Sequence, residues 1–450
     1  MKKLFGTDGI RGIVGKELTA DLSFRLARVF ATIITRDHLP EPWAVVIGRD
    51  TRSSCDTLED SISSGLTSRG VNVSLAGVIP TPGLAYLTRT RGFNGGVMIS
   101  ASHNPAEYNG IKFVSHAGFK ITEKEESEIE RGLENYDQTR FPDVPHGSIK
   151  RDPTLPVRYA EYLKQIEKIS LSGLKVVIDL SNGATFSIGP ALFADLGANI
   201  VAISDKPDGK NINLNCGATH LDTLQKAVLT NQADLGLAFD GDGDRLLAVD
   251  EKGEIVDGDQ IVLIEALELA RNGKLQNNTV VTTVMSNYGL EAALRERNIT
   301  LKRTPVGDKY VVEEMTKSGA VLGGEQSGHI VFLDCNTTGD GLLTGVKLLA
   351  TLKRHGGKFS ALAAQMERLP QVQLNVNVNR TKDWDRNCAV QNAITKASLQ
   401  IQEKGRILVR ASGTEPIIRV MVEGKDNSLN NKLATDIANA IQTEVGANRL

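Results

Sequence analysis

The chain is poor in the features that mark exported, zinc-scaffolded or polymer-binding proteins. Its four cysteines, Cys55, Cys216, Cys335 and Cys388, are scattered with no Cys-x-x-Cys spacing. That excludes a disulfide framework and a structural zinc site, and it makes a reducing, cytoplasmic setting the default. Charge of one sign is missing as well, since 52 basic residues face 54 acidic ones. No global field draws in nucleic acid or an anionic membrane, so any anion specificity has to be local and the fitting partners are small molecules. Long hydrophobic runs are absent too. Glu265 and Glu268 interrupt the best one, and Asp8 and Arg11 break the N-terminal stretch before a signal-peptide core can form.

What is present is length and alternation. At 450 residues the chain exceeds one core and predicts three or four domains of about 150 residues each. Short β-branched runs alternate with amphipathic helical stretches, the pattern of βαβ units with parallel or mixed sheets. Strands are predicted at 43–48, 71–78 and 95–100 with a helix at 57–68, and turn formers at 140–147 and 152–156 mark a boundary. A second unit follows with strands at 175–179, 199–204 and 235–239 and helices at 187–196 and 221–232. A third has helices at 259–271, 290–297 and 309–318 and strands at 280–283, 301–304 and 321–323. Three such modules in succession suggest an internal repeat. Past Pro370 come strands at 372–378, 406–411 and 417–423 and helical stretches at 384–402 and 428–445, a small α+β domain. The expected fold is α/β: three successive α/β domains with mixed sheets, at 1–150, 151–255 and 256–369, plus a C-terminal α+β domain at 370–450.

The densest chemistry is Asp240-Gly-Asp-Gly-Asp-Arg245, directly after the 235–239 strand. Three carboxylates on one short turn repel each other unless a cation sits among them, and a hard divalent ion with oxygen ligands, Mg²⁺, is the usual remedy. Two alternatives are weaker. A solvated acidic loop needs no third aspartate, and a helix-loop-helix Ca²⁺ site is opposed by Arg245 at the position that requires glycine, although Glu251 would suit its last ligand position. Three protein carboxylates leave coordination positions open for a phosphate oxygen.

Other loops could supply or hold that phosphate. Ser100-Ala-Ser-His-Asn-Pro105 leaves a strand, but Ser102 lacks the flanking glycines of a hydrolase elbow, so acyl chemistry is disfavoured. As a plain polar turn, its serines and Asn104 would bond the backbone; as a carrier, Ser102 would complete the metal site with its phosphate. Gly323-Gly-Glu-Gln-Ser-Gly-His329 offers Glu325, Ser327 and His329 to adjacent hydroxyls of a sugar, which a structural turn would not need. Arg410-Ala-Ser-Gly-Thr-Glu-Pro-Ile-Ile-Arg419 combines the hydroxyls of Ser412 and Thr414, backbone N–H groups around Gly413 and two guanidinium groups in a phosphate cradle; strand arginines that are merely solvated are the dull alternative. Arg11, in Gly6-Thr-Asp-Gly-Ile-Arg-Gly12, and Lys112, beside the serine loop, could serve phosphoryl transfer or be structural.

Taken in order along the whole chain, these five motifs resemble the α-D-phosphohexomutase superfamily. The opening Phe5-Gly-Thr-Asp-Gly-Ile-Arg-Gly12 and Gln326 resemble its bacterial glucosamine branch, as does Val306-Gly-Asp-Lys-Tyr310. The resemblance implies four domains around a central cleft, the fourth mobile, and interconversion of glucosamine 6-phosphate and glucosamine 1-phosphate on the route to UDP-N-acetylglucosamine. It implies Ser102 as phosphoryl carrier, with a covalent phosphate that joins Asp240, Asp242 and Asp244 around one Mg²⁺ ion, and a hexosamine 1,6-bisphosphate as intermediate and activator. Arg11 and Arg245 would offset developing charge, and Lys112 and His329, or else His103, would move protons. Glu325 and Ser327 would read sugar hydroxyls, while Arg410, Ser412, Gly413, Thr414 and Arg419 would hold the phosphate that is not reacting. Phosphomannomutase or phosphoglucomutase activity is the rival within the same chemistry. A non-catalytic sugar-phosphate regulator and a phosphatase are the rivals outside it, and homodimer formation is left open.

Overall fold

The computed structural model describes residues 4–6, 8–36, 42–379, 383–412 and 415–446, without the side chains of Arg36 and Glu403. It falls into two compact units, Met1–Thr283 with Lys302–Gln365, and Val284–Leu301 with Met366–Leu450.

The first unit is built on mixed sheets. In the six-stranded one, Ala44–Arg49 runs parallel to both Asn72–Val78 and Gly95–Ile99, and Tyr108–Ser115 returns antiparallel beside Gly95–Ile99. Gly95–Ile99 is buried along its whole length, as a central strand covered on both faces must be. The five-stranded sheet repeats the arrangement: Leu235–Phe239 is parallel to Lys175–Asp179, and Leu246–Asp250 returns antiparallel to it. In the four-stranded sheet Leu322–Gly324 is parallel to Thr279–Thr283 and pairs with the antiparallel return strand Ile330–Phe332. Each sheet thus ends one parallel strand in a hairpin. The three hairpin loops are the serine, aspartate and sugar loops, which gives the expected repeat a topological form.

Several helices escape a reading by periodicity. Ala20–Arg36, Thr81–Thr90 and Gly341–His355 are not among the expected elements. Gly341–His355 is buried without interruption from Gly341 to Leu352, so it shows no polar face for a period of 3.6 to register. The turn-rich 152–156 stretch opens the helix Thr154–Lys164, because Pro156 lies in its first turn, where a proline removes no intrahelical hydrogen bond. Leu246–Asp250 forms a strand, and Glu251 accepts from Ser360 at 2.6 and 3.0 Å, so it has a structural task away from any Ca²⁺ loop.

The second unit pairs Gln371–Asn377 with Ile417–Gly424 and Ile417–Gly424 with Gly405–Ala411, all antiparallel. Its core sets Val376, Ile418, Val420 and Val422 of the sheet against Val390 and Ala397 of helix Cys388–Ile401 and Leu433 and Ile437 of helix Asn427–Val445. This is the expected α+β architecture. Among the described residues of the whole chain, no helix is long and apolar enough to cross a membrane.

Candidate active site

The serine and aspartate loops come together at the ends of their buried strands. Ser102, 0% exposed, donates through Oγ to Asp240 Oδ2 at 2.6 Å. The contact needs space that only glycine leaves: a Cβ on Gly241 would lie 2.5 Å from the Ser102 carbonyl oxygen, and Gly243 adopts the left-handed φ of 69°. Gly243 is the conformational glycine of the pair, whereas Gly241 is a glycine because another backbone packs on it.

Asp240, Asp242 and Asp244 each bring an oxygen within 4.8 Å of the others, all buried. Asp240 Oδ1 accepts from the Arg245 backbone N–H at 3.1 Å. Asp242 Oδ2 accepts from Thr81 Oγ1 at 2.6 Å and from Lys112 Nζ at 2.8 Å. The Oδ1 atoms of Asp242 and Asp244 are buried with no hydrogen-bond partner. Burial, then the neighbouring charges of Asp244 and Asp242, push the Asp240 carboxyl well above its ordinary range. Unpartnered carboxylate oxygens beside a carboxylate forced upward are a site short of positive charge. A hard, all-oxygen donor set of this kind fits Mg²⁺.

Around this cluster runs an alternating column of charge. Lys112, 3% exposed, bridges Asp242 and Asp8, both at 2.8 Å, and lies 3.7 Å from Asp244. Asp8 in turn pairs with Arg11 and, at 2.6 Å, with Lys120, which also binds Asp308. Burial works against the Lys112 ammonium, but Asp242 and Asp8 outweigh it and raise its pKa. Burial likewise opposes the Asp8 carboxylate, yet Lys112, Lys120 and Arg11 pull it well below the usual range.

The proton-carrying candidates separate geometrically. His103 Nδ1 lies 3.3 Å from Ser102 Oγ, and burial, then Arg245 and Arg11, lower its pKa. His329 lies on the aspartate side: Nδ1 is 3.6 Å from Asp244, and Nε2 accepts the Gly339 N–H at 3.0 Å and stands 3.7 Å from Asp308. Burial opposes its charged form, but Asp244 raises its pKa. Arg245 Nε lies 3.8 Å from Asp244. In the sugar loop, Glu325 accepts from the Gly307 N–H at 3.3 Å, which ties that loop to the Val306–Tyr310 motif, while Ser327 is exposed.

In the second unit, Arg410 and Arg419 are register partners across neighbouring strands. Burial, then Arg419, lower the Arg410 pKa. The Arg419 Nε is buried without a partner, while one of its terminal nitrogens donates to Glu415 Oε2 at 3.4 Å. The Ser412 N–H is held by the Ile417 carbonyl at 2.8 Å. Gly413 and Thr414 lie outside the described residues.

Sequence reasoning missed Asp8, Thr81, Lys120 and Asp308 as members of the cluster. Asp8 and Asp308 stand inside motifs already singled out, and their acidic side chains beside Arg11 and Lys309 were a usable signal.

Comparisons with known proteins identify the family. Family models for phosphoglucomutase/phosphomannomutase domains I, II and III and the C-terminal domain match residues 2–140, 157–253, 257–369 and 374–440. The chain belongs to the phosphoglucomutase/phosphomannomutase family. Within it, the chain is 48% identical over 454 residues to the phosphoglucosamine mutase of Caldicellulosiruptor bescii, covering 99% of this chain and 100% of that one. A crystal structure of a phosphoglucomutase/phosphomannomutase family protein from Burkholderia thailandensis superposes with a TM-score of 0.83 at 26% identity over 98% of each chain. The N-acetylphosphoglucosamine mutase of Aspergillus fumigatus, solved with GlcNAc-6P and magnesium, shares the fold at a TM-score of 0.66 and 20% identity, over 98% of this chain and 95% of that one.

Proposed function

We propose that this chain interconverts glucosamine 6-phosphate and glucosamine 1-phosphate, with Ser102 as the phosphoryl carrier. The single observation that carries the chemistry is Ser102 Oγ at 2.6 Å from Asp240, in a cluster whose Asp242 and Asp244 still have unpartnered oxygens. The choice of sugar rests on full-length similarity to phosphoglucosamine mutases.

In this reading Asp240, Asp242, Asp244 and a phosphate oxygen on Ser102 hold one Mg²⁺ ion. When bound, that ion would withdraw charge from the phosphoryl oxygens as a Lewis acid. Ser102 gives its phosphoryl group to one end of the sugar phosphate, so the bond to Oγ breaks as the bond to the sugar oxygen forms. The resulting 1,6-bisphosphate reorients, and its other phosphate returns to Ser102. Lys112 is a fixed cation among carboxylates and, with Arg11 and Arg245, balances equatorial charge. His103, 3.3 Å from Ser102 Oγ, would carry a proton there, and His329, 3.6 Å from Asp244, would carry one on that side. Glu325 and Ser327 read sugar hydroxyls that look alike in both orientations. Arg410, Ser412, Gly413, Thr414 and Arg419 hold the idle phosphate, because two guanidinium groups in register, with only Glu415 paired to one of them, favour a shared anion. In this reading each of the domains 1–150, 151–255, 256–369 and 370–450 carries one functional loop, and the unpaired state of all four cysteines suits a cytoplasmic setting.

Intact mass before and after phosphatase treatment, together with the Ser102→Ala variant, tests the carrier. The wild type should lose one phosphate, and Ser102→Ala should lose turnover by more than about 10³-fold. Near-normal turnover in that variant sinks the assignment. Specificity constants for glucosamine, glucose and mannose phosphates, measured side by side, test the sugar.

A further inference from the structure

Ser102 adopts a left-handed φ of 51°, a conformation that a residue with a side chain keeps only when its surroundings impose it. The residue with the most hydrogen bonds to the hairpin that carries it stands outside all five motifs. Arg52, 1% exposed, follows strand Ala44–Arg49 and has five N–H donors, all of them engaged. Its Nε donates to Asp50 Oδ2 at 2.9 Å. One terminal nitrogen donates to the carbonyls of Pro105 and Tyr108, the latter at 3.0 Å. The other donates to the carbonyls of Ser102 and Asn104 at 3.0 and 2.8 Å. Four carbonyls of the serine hairpin therefore converge on one planar cation, a geometry an ammonium group cannot reproduce.

Asp50 closes the arrangement on the other side of the peptide. Its Oδ2 accepts from Ser100 Oγ at 2.6 Å, and Ser100 Oγ accepts the Ser102 N–H at 3.0 Å. Asn213 Nδ2 adds a second donor to the Ser102 carbonyl at 2.9 Å and reaches the Asn104 carbonyl at 3.1 Å. Ser102 is gripped at both its N–H and its C=O, which leaves its hydroxyl to meet Asp240.

We propose that Arg52 is a positioning residue for phosphoryl transfer. Through the Ser102 carbonyl it fixes the left-handed backbone that aims the carrier oxygen at the acidic cluster. The inference rests on the reading of Ser102 as carrier. Arg52 touches no reacting atom, so its effect belongs to the rate of transfer and not to capture of the sugar phosphate. Misplacement of a reacting group by about 1 Å can cost about 10²-fold in rate.

The test uses the full chain with Arg52→Lys, which keeps the charge beside Asp50 but loses the fork, and with Asn213→Ala, which removes the other donor to the same carbonyl. Each is measured for kcat and KM on glucosamine 6-phosphate, for melting temperature, and for the rate at which glucose 1,6-bisphosphate loads phosphate onto Ser102 by intact mass. Folded Arg52→Lys should lose about 10²-fold in kcat and loading rate with KM within about threefold of wild type, and Asn213→Ala about 10-fold with the same split. Wild-type kcat in folded Arg52→Lys, or a rise in KM with kcat unchanged, overturns the proposal. If Arg52→Lys does not fold, the same two outcomes in Asn213→Ala decide it. A wild-type protein that never loads phosphate on Ser102, beside a fully active Ser102→Ala, is the separate failure of the carrier reading.

Discussion

The serine and aspartate loops gather three carboxylates and a hydroxyl into one buried cluster, whereas the C-terminal loop sets two guanidinium groups in register across a strand pair. Both are incomplete, with opposite sign. The first leaves Asp242 and Asp244 oxygens unpartnered and drives Asp240 upward; the second leaves the Arg419 Nε unpartnered and drives Arg410 downward. The first region is locked by backbone contacts and buried charge, while the second stays partly open to solvent. Like charges placed together with buried polar atoms left unpartnered mark where a ligand is expected, in either sign.

Variants can break or sharpen this contrast. The largest effect is expected for Asp242→Asn, which removes a cluster carboxylate and a partner of Lys112: kcat should fall by at least about 100-fold, and Mg²⁺ binding measured calorimetrically should weaken. Arg419→Ala should act mainly on KM, raising it about 10-fold or more through the loss of charge-assisted hydrogen bonds to phosphate, with kcat less changed. A kcat effect as large as that of Asp242→Asn would erase the distinction between the regions.

Asp240→Asn should raise the melting temperature of metal-free protein at neutral pH by a few degrees. A carboxyl whose folded pKa is raised stabilises the fold only at low pH and costs stability once ionised, so removing the charge helps where the cation is absent. The same variant should gain nothing from added Mg²⁺, in contrast to wild type. The smallest effect is expected outside both regions, at Glu265, which burial pushes up to about 7 from 4.5 despite Lys347. Wild-type stability should therefore decline from about pH 4.5 to about pH 7 by this contribution, and Glu265→Gln should flatten that decline in thermal melts.

Much of the site was legible because its signals are local. Asp240, Asp242 and Asp244 fall on one short Gly-spaced turn, and their crowding states its own need for a cation. Strand Lys175–Asp179 stands where its β-branched run places it, and Leu235–Phe239 where a short apolar run ends at the aspartates. The partners were not legible where the chain brings distant residues together: Lys120 meets Asp308 across 188 residues, and Thr81 meets Asp242 across 161. Arg52 was invisible for the same reason, since its partners are mostly main-chain carbonyls of the serine hairpin, and a carbonyl carries no sequence identity. The helix Gly341–His355 was missed because complete burial removes the polar stripe that periodicity detects.

The column of alternating charge from Lys120 through Asp8 and Lys112 to Asp242 has a consequence for how the enzyme meets salt. Dissolved ions screen exposed charges over about 8 Å at physiological ionic strength but barely reach buried pairs. Lys112 and Asp242 are 3% and 0% exposed, whereas Arg419 is 32% exposed. Raising ionic strength should therefore weaken capture of the sugar phosphate well before it slows transfer at Ser102, so a titration with an inert salt reads the two regions independently in one unmodified protein.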